Sequence, residues 1–252
     1  MLQVKIDNIY LNSTNSTREI ISNTKFELAE NKIYTILGKN GSGKSTLIKS
    51  ITRLLNENNY KISGSVIFNG KNIYDCPQNE LLKFRKEKIK YVFQDAVNSF
   101  DHLKTLKYYF KLLAKNSDET DELLKYFLLP NSDNLFKMYP YEISGGMSQR
   151  VSFVLALLSH PEIIILDEPT SGIDSAIANL FLLKLKEFVK KNKNSSLLVT
   201  QDISFAEKIS DRIAYLSNGK LSDFRSVDDF LNDPGNPLLE KFLLANNKIE
   251  YE

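Results

Sequence analysis

The stretch GKNGSGKST, Gly38 to Thr46, fits the pattern G-x-x-x-x-G-K-[ST]. It follows the apolar run KIYTIL and opens a helical pattern, the context this pattern needs. Glycines at 38, 41 and 43 let the backbone curl, so that successive N–H groups point inward at phosphate oxygens. Lys39, Asn40, Ser42 and Thr46 fill out the cradle, and a helix starting near Lys44 adds its positive dipole end. Lys44 can reach the β- and γ-phosphates of a nucleotide, and the Ser45 hydroxyl can ligate Mg²⁺.

A second group lies far along the chain. In EIIILDEPTSGID, Asp167 and Glu168 close a buried apolar run, and Pro169 redirects the backbone. An acid pair after a strand can simply cap a helix. Paired with a phosphate loop it gains a catalytic reading. Asp167 then suits the Mg²⁺ shell, directly or through water, and Glu168 suits a general base acting on the attacking water. A third run, SSLLVT, stops at Gln201 and Asp202. A strand with a polar C-terminal end is where an α/β sheet keeps its chemistry. Gln201 either works there or only closes the strand.

The elements that must hold these groups read as strands alternating with helices, which implies a parallel-sheet α/β core. VKIDNI alternates, TKFEL is short, and SGSVIFNGKNI carries an Asn69-Gly70 turn. Pro77 to Lys88 is a helix, and IKYVFQD is another strand ending in polar residues. From Thr105 to Tyr139 the pattern is helical only, with Asp118 the expected N-cap of its second helix. A helix over SGGMSQRVSFVLALLS precedes EIIIL, and another over DSAIANLFLLKLKEFVKK precedes SSLLVT. ISFAEKIS (helix) and a hairpin around Asn218-Gly219 follow, and SVDDFLND and NPLLEKFLLAN read as two short helices.

The 252 residues are 42% hydrophobic and carry a net charge of +2, enough for a sizeable core and too neutral to point at nucleic acid. The single cysteine, Cys76, excludes a disulfide framework or a cysteine metal site. MLQVKIDNIYLN lacks the layout of a signal peptide, and no apolar stretch is long enough to span a bilayer. The expectation is a soluble cytoplasmic chain that needs another protein to bring it to a membrane.

With YEISGGMSQRV standing between the phosphate loop and the acid pair, the chain resembles the nucleotide-binding subunits of ABC transporters. The resemblance covers essentially the whole chain. It implies one ATP-binding domain over residues 1–252: a P-loop NTPase core with a mostly parallel sheet, an N-terminal antiparallel β subdomain and a helical subdomain inserted at about 95–145. Ser144-Gly145-Gly146 matches the core of the family's signature motif, whose helix start meets the γ-phosphate of a nucleotide on a partner subunit. Two ATP molecules are then sandwiched between two such domains. Tyr10 is placed like the residue that stacks on adenine. Gln94 is placed like the Q-loop glutamine, which senses Mg²⁺ and the permease. The metal shell implied is Ser45, Gln94 and Asp167. Ser171-Gly172-Ile173-Asp174 matches the D-loop, although the family more often has Ala-Leu where Gly172-Ile173 stand.

VFQDAVNSFDHLKT and PYEISGGMSQRV are similar to the oligopeptide, dipeptide and nickel branch of ABC importers, with Ala96 and His102 replacing two prolines of its pattern. The tail NPLLEKFLL is similar to that branch's ending. The resemblance implies an ATP-hydrolysing subunit, with ATP and Mg²⁺ as cofactors, powering import of peptides, nickel or a metal–chelator complex. Its partners would be transmembrane permease subunits, a second ABC ATPase and, indirectly, an extracytoplasmic substrate-binding protein. It would sit on the inner face of the membrane through the permease. An exporter or immunity ATPase, or an ABC ATPase with no transporter, shares the core motifs and stays open.

One position departs from the family. Gln201 stands where a histidine normally contacts the γ-phosphate and aligns the attacking water. Glutamine offers a hydrogen bond but carries no positive charge. The favoured expectation is a chain that forms the weak site of a heterodimer while its signature completes the partner's strong site. The competing expectation is that glutamine suffices and both sites turn over.

Overall fold

The computed structural model describes residues 2–13, 16–114 and 116–232, together with Glu240 and Leu244. These fall into two compact units: one holds residues up to Leu81 and from Leu197 onward, the other Leu82–Ser196.

The first unit opens with an antiparallel sheet of β1 (Leu2–Ser13), β2 (Ser16–Leu28), β4 (Tyr60–Phe68) and β5 (Lys71–Asn72), in the order β2-β1-β4-β5. Leu2, Val4 and Ile6 of β1 point inward while Gln3, Lys5 and Asp7 face water, the alternation expected of a half-buried strand. β2 is longer than the TKFEL expectation. It gains Ser16–Asn23, of which Ser16–Glu19 are all exposed, and these are in the sheet because they pair with β1, Ser13 opposite Ser16 and Tyr10 opposite Glu19. Asn69 and Gly70 join β4 to β5 with φ of 48° and 83°, the left-handed pair that a two-residue hairpin requires.

The same unit holds β3 (Ile33–Leu37), α1 (Lys44–Ile51), β8 (Ser195–Thr200, from Leu197 on), α8 (Ile203–Ile209), β9 (Arg212–Ser217), β10 (Lys220–Leu221) and α9 (Val227–Asn232). All five residues of β3 are buried, and it runs parallel to β9. The end of β3 is fixed by a cluster of Leu37, Ala206, Ile213, Tyr215 and Phe230, so α8, α9 and β9 all bear on the residue that precedes Gly38. α1 buries Leu47, Ile48 and Ile51 on one face.

The second unit contains α2 (Gln78–Glu87, from Leu82 on), β6 (Ile89–Val92), α3 (Leu106–Leu113), α4 (Ser117–Tyr126), α5 (Ser132–Leu135), α6 (Gly145–Leu158), β7 (Ile163–Asp167) and α7 (Ser175–Lys190). β6 and β7 run parallel. Among the described residues only helices and turns lie between them, as the sequence pattern predicts. The helical part is built around aromatics: Phe127, Phe153 and Phe181 have ring centroids 4.7–5.6 Å apart. α6 is apolar nearly all round, with Val151, Phe153, Val154 and Leu158 fully buried, as a helix through the middle of a core must be.

The expected cap of α4 is corrected. Asn116, not Asp118, is the N-cap, its side chain accepting from the Asp118 N–H at 2.8 Å. Asp118 and Glu119 occupy the first turn instead, where their charge meets the positive helix end. Of the two C-terminal helices expected, the first is α9, and NPLLEKFLLAN lies outside the described residues apart from Glu240 and Leu244. No helix among the described residues is long and apolar enough to cross a membrane.

Candidate functional site

The phosphate loop lies wholly in the first unit. A Cβ on Gly38 would stand 2.6 Å from the Leu216 carbonyl oxygen and 2.8 Å from Ser42 Oγ, so any larger residue would push the loop off the sheet. Gly43 is the N-cap of α1 with φ 101°, and no side chain caps the helix. This left-handed position lets the chain turn directly from loop into helix. Lys44 is 5% exposed, and its ammonium folds back to donate to the carbonyls of Gly38 at 2.8 Å and Lys39 at 3.2 Å. Ser42 Oγ is buried with no hydrogen-bond partner, and a buried hydroxyl without one calls for an explanation. A curled backbone, a lysine held across it and an unsatisfied hydroxyl are what an anion with several oxygens would complete. Lys39, Asn40 and Gly41 are exposed along the rim, while Ser45 and Thr46 are half-buried in the first turn of α1.

Tyr10 and Gln201 belong to the same unit. Tyr10 is half-buried beside a register shift in β1. The Asn8 amide donates to both the Tyr10 hydroxyl, at 3.3 Å, and the Glu19 carboxylate, at 2.8 Å. The Glu19 charge, more than burial, raises the Tyr10 phenol above its ordinary value. Gln201 is exposed directly after β8. Its neighbours make the turn: the Asp202 N–H donates to Thr200 Oγ1 at 3.0 Å, and the Asp202 carboxylate caps α8 by accepting from the Phe205 N–H at 2.8 Å. β8 is also the sheet neighbour of β3, the strand that leads into the phosphate loop.

The second unit holds Gln94, Ser144, Gly145, Gly146, Asp167 and Glu168. Gln94 is exposed just past β6. Asp167, 2% exposed, ends β7, and Oδ2 accepts from the Tyr91 hydroxyl at 2.7 Å. Burial first, then the Asp167 charge and this hydrogen bond, push the Tyr91 phenol far up, so it stays a donor. Glu168 is buried and left-handed, φ 47°; a non-glycine residue there stores about 1–3 kcal/mol of backbone strain. Gln149, 3% exposed on α6, holds this turn by donating to the carbonyls of Glu168 at 3.3 Å and Pro169 at 2.8 Å.

Neither Tyr91 nor Gln149 stands out in the sequence. The signal for Tyr91 is its place as the penultimate residue of a strand in register with β7. Gln149 sits five residues after Ser144 on the signature helix. Gln149→Met keeps most of the volume and removes the donor. Glu168 O would still accept from the Ser171 N–H at 3.1 Å. The Pro169 carbonyl would be left bare, at a cost of about 1–3 kcal/mol. Urea unfolding should show a lower midpoint at unchanged slope.

Ser144 caps α6, its Oγ accepting from the Met147 N–H at 3.2 Å. Gly145 and Gly146 form the first turn. A Cβ on Gly145 would meet nothing within 4 Å, and one on Gly146 only the Ile173 side chain at 3.6 Å. Nothing within the described residues requires glycine at 145. Asp174 caps α7 through the Ile177 N–H at 2.9 Å, so the segment Ser171–Asp174 leads straight into a helix.

A family model described as "ABC transporter" matches residues 21–171, more than half of the chain. The chain belongs to the ABC transporter family. The oligopeptide transport ATP-binding protein AmiE of Streptococcus pneumoniae is 30% identical over 227 residues, covering 86% of this chain. The chain spans 64% of the length of AmiE. The metal-staphylopine import system ATP-binding protein CntD of Staphylococcus aureus is 28% identical over 258 residues, which cover 98% of this chain and 94% of CntD. A solved dimeric ATP-binding cassette in a post-hydrolysis state, bound to ADP and Pi, matches with a TM-score of 0.78 and 26% identity over 90% of this chain and 99% of that one. The α/β fold expected from the resemblance, with its antiparallel N-terminal sheet and helices, agrees with that match.

Proposed function

We propose that this chain is the ATP-binding and ATP-hydrolysing subunit of an importer, forming one domain over residues 1–252 with a helical subdomain at about 95–145. The observation that carries the reading is the phosphate loop. Lys44 is held across the loop on two carbonyls, over a backbone that Gly38 alone lets approach the sheet. The residues present suit a triphosphate: loop N–H groups, the Ser42 hydroxyl and Lys44 for the oxygens, and Tyr10 for the base.

In the proposed reaction a water oxygen attacks the γ-phosphorus and the bond to the β–γ bridging oxygen breaks. Glu168 takes the proton from the water. Gln201 and Gln94 hydrogen-bond around the water and the γ-phosphate. Ser45, Gln94 and Asp167 would hold Mg²⁺, which offsets negative charge on the β- and γ-oxygens. Ser144, Gly145 and Gly146 would complete the site of a partner subunit with a helix start. The open space beside Gly145 supports this, since nothing among the described residues comes within 4 Å of a Cβ there.

The partners proposed are a membrane permease and a second ABC ATPase, with an extracytoplasmic binding protein acting through the permease at the inner face of the membrane. The names of AmiE and CntD support a peptide or a metal–chelator complex as cargo. The pair is read as asymmetric, because Gln201 lacks the charge of the family's histidine.

Gln201→His tests this. Histidine should raise turnover at this site by about 10-fold or more. The gain should be measured by single-turnover hydrolysis in the assembled pair, with the partner's own site disabled. It should vanish when Glu168→Gln is added, because the two residues act on one water. An unchanged rate with ATP still bound would mean that Gln201 already suffices or that it points away from the nucleotide.

A further inference from the structure

A carboxylate that serves a metal must have its plane fixed as well as its position. Asp167 ends β7, and backbone pairing places the strand but leaves the side chain free to rotate. In this protein the adjacent strand supplies one such restraint. β6 and β7 are parallel in the register Tyr91 opposite Ile165 and Val92 opposite Leu166. Tyr91 therefore stands two positions back from Asp167, and its long ring spans that offset. The hydroxyl donates to Asp167 Oδ2 at 2.7 Å. The ring is braced by Phe93, centroids 4.5 Å apart, and the strand by the buried Ile89 and Val92. A short hydrogen bond from a rigid aromatic to a charged acceptor is among the stronger restraints a side chain can receive. With Oδ2 held, the direction of the other carboxylate oxygen is set.

We propose that Tyr91 is a positioning residue for Mg²⁺-nucleotide: it orients Asp167 so that the carboxylate meets the metal shell without rotating on binding. This rests on the reading of Asp167 as a shell residue. Outer partners of metal-binding carboxylates act in this way in general, and losing one costs about 10–100-fold in metal affinity.

The test is equilibrium binding of a fluorescent ATP analogue to the full chain, once in EDTA and once across a Mg²⁺ titration. Tyr91→Phe keeps the ring and removes only the hydroxyl. Its half-saturating Mg²⁺ concentration should rise by about 10-fold or more, with affinity in EDTA within about twofold of wild type. In an Asp167→Asn background the same substitution should have little further effect, because the two changes act on one contact. An unchanged Mg²⁺ titration would overturn the proposal, and with a lowered melting temperature it would make Tyr91 a packing residue only. Equal shifts in the presence and absence of Asp167 would overturn it as well. If wild type binds no nucleotide under either condition, the proposed function fails first and takes this inference with it.

Discussion

Lys44→Ala should reduce binding of an ATP analogue by about 100-fold or more. Each hydrogen bond to a charged group contributes about 1.5–3 kcal/mol, and this lysine is read as serving two phosphates. The substitution also strips the Gly38 and Lys39 carbonyls of their shared donor, so the loop loses its brace together with its charge. Fluorescence titration measures the first effect. A thermal melt without nucleotide measures the second, which should be small beside it. Wild-type affinity in the variant would mean the loop does not hold phosphate.

Ser144→Arg should leave nucleotide binding by the isolated chain unchanged and nearly abolish ATPase activity of the assembly. Two effects are combined in that variant. Losing the cap on Met147 costs about 1 kcal/mol, which lowers stability wherever the chain is. A bulky cation at an exposed helix start acts only where a partner's nucleotide approaches. Ser144→Gly separates them, because it gives up the side-chain cap for only a few tenths of a kcal/mol and adds no bulk. It should keep most of the assembly's activity. Collapse of nucleotide binding in isolated Ser144→Arg would show that the signature does not act across a dimer.

The motifs were legible because each is local. GKNGSGKST needs only a strand before it and a helix after it, and both can be read from apolar periodicity. ILDEP and SGGMSQ are equally compact. What escaped the sequence depends on which strand or loop lies alongside. The outer half of β2 is polar at every position from Ser16 to Glu19 and is in the sheet through its pairing with β1. Tyr91 reads as one more aromatic in a strand until the register with β7 brings it to Asp167. Gln149 reads as a polar interruption of an apolar helix until its amide is found on two carbonyls of the acid turn. The sequence leaves the cap of α4 ambiguous because Asn116 and Asp118 are both good caps, and the backbone geometry, β-region at Asn116, chooses between them. Gln201 was legible as a departure from the family pattern. That Thr200 and Asp202 make the turn around it was not.

α6 carries Ser144 as its cap and Gln149 in its second turn, on one helix of 14 residues packed on nearly every side. Such a rod does not bend under small loads; it shifts as a piece. Its outward end is read as touching the partner's nucleotide, and Gln149 grips the backbone of this chain's own Glu168. Whatever moves the first must displace the second. Under the sandwich reading the two nucleotides are then not independent tenants: filling one changes the affinity of the other, and by linkage the influence is equal in both directions.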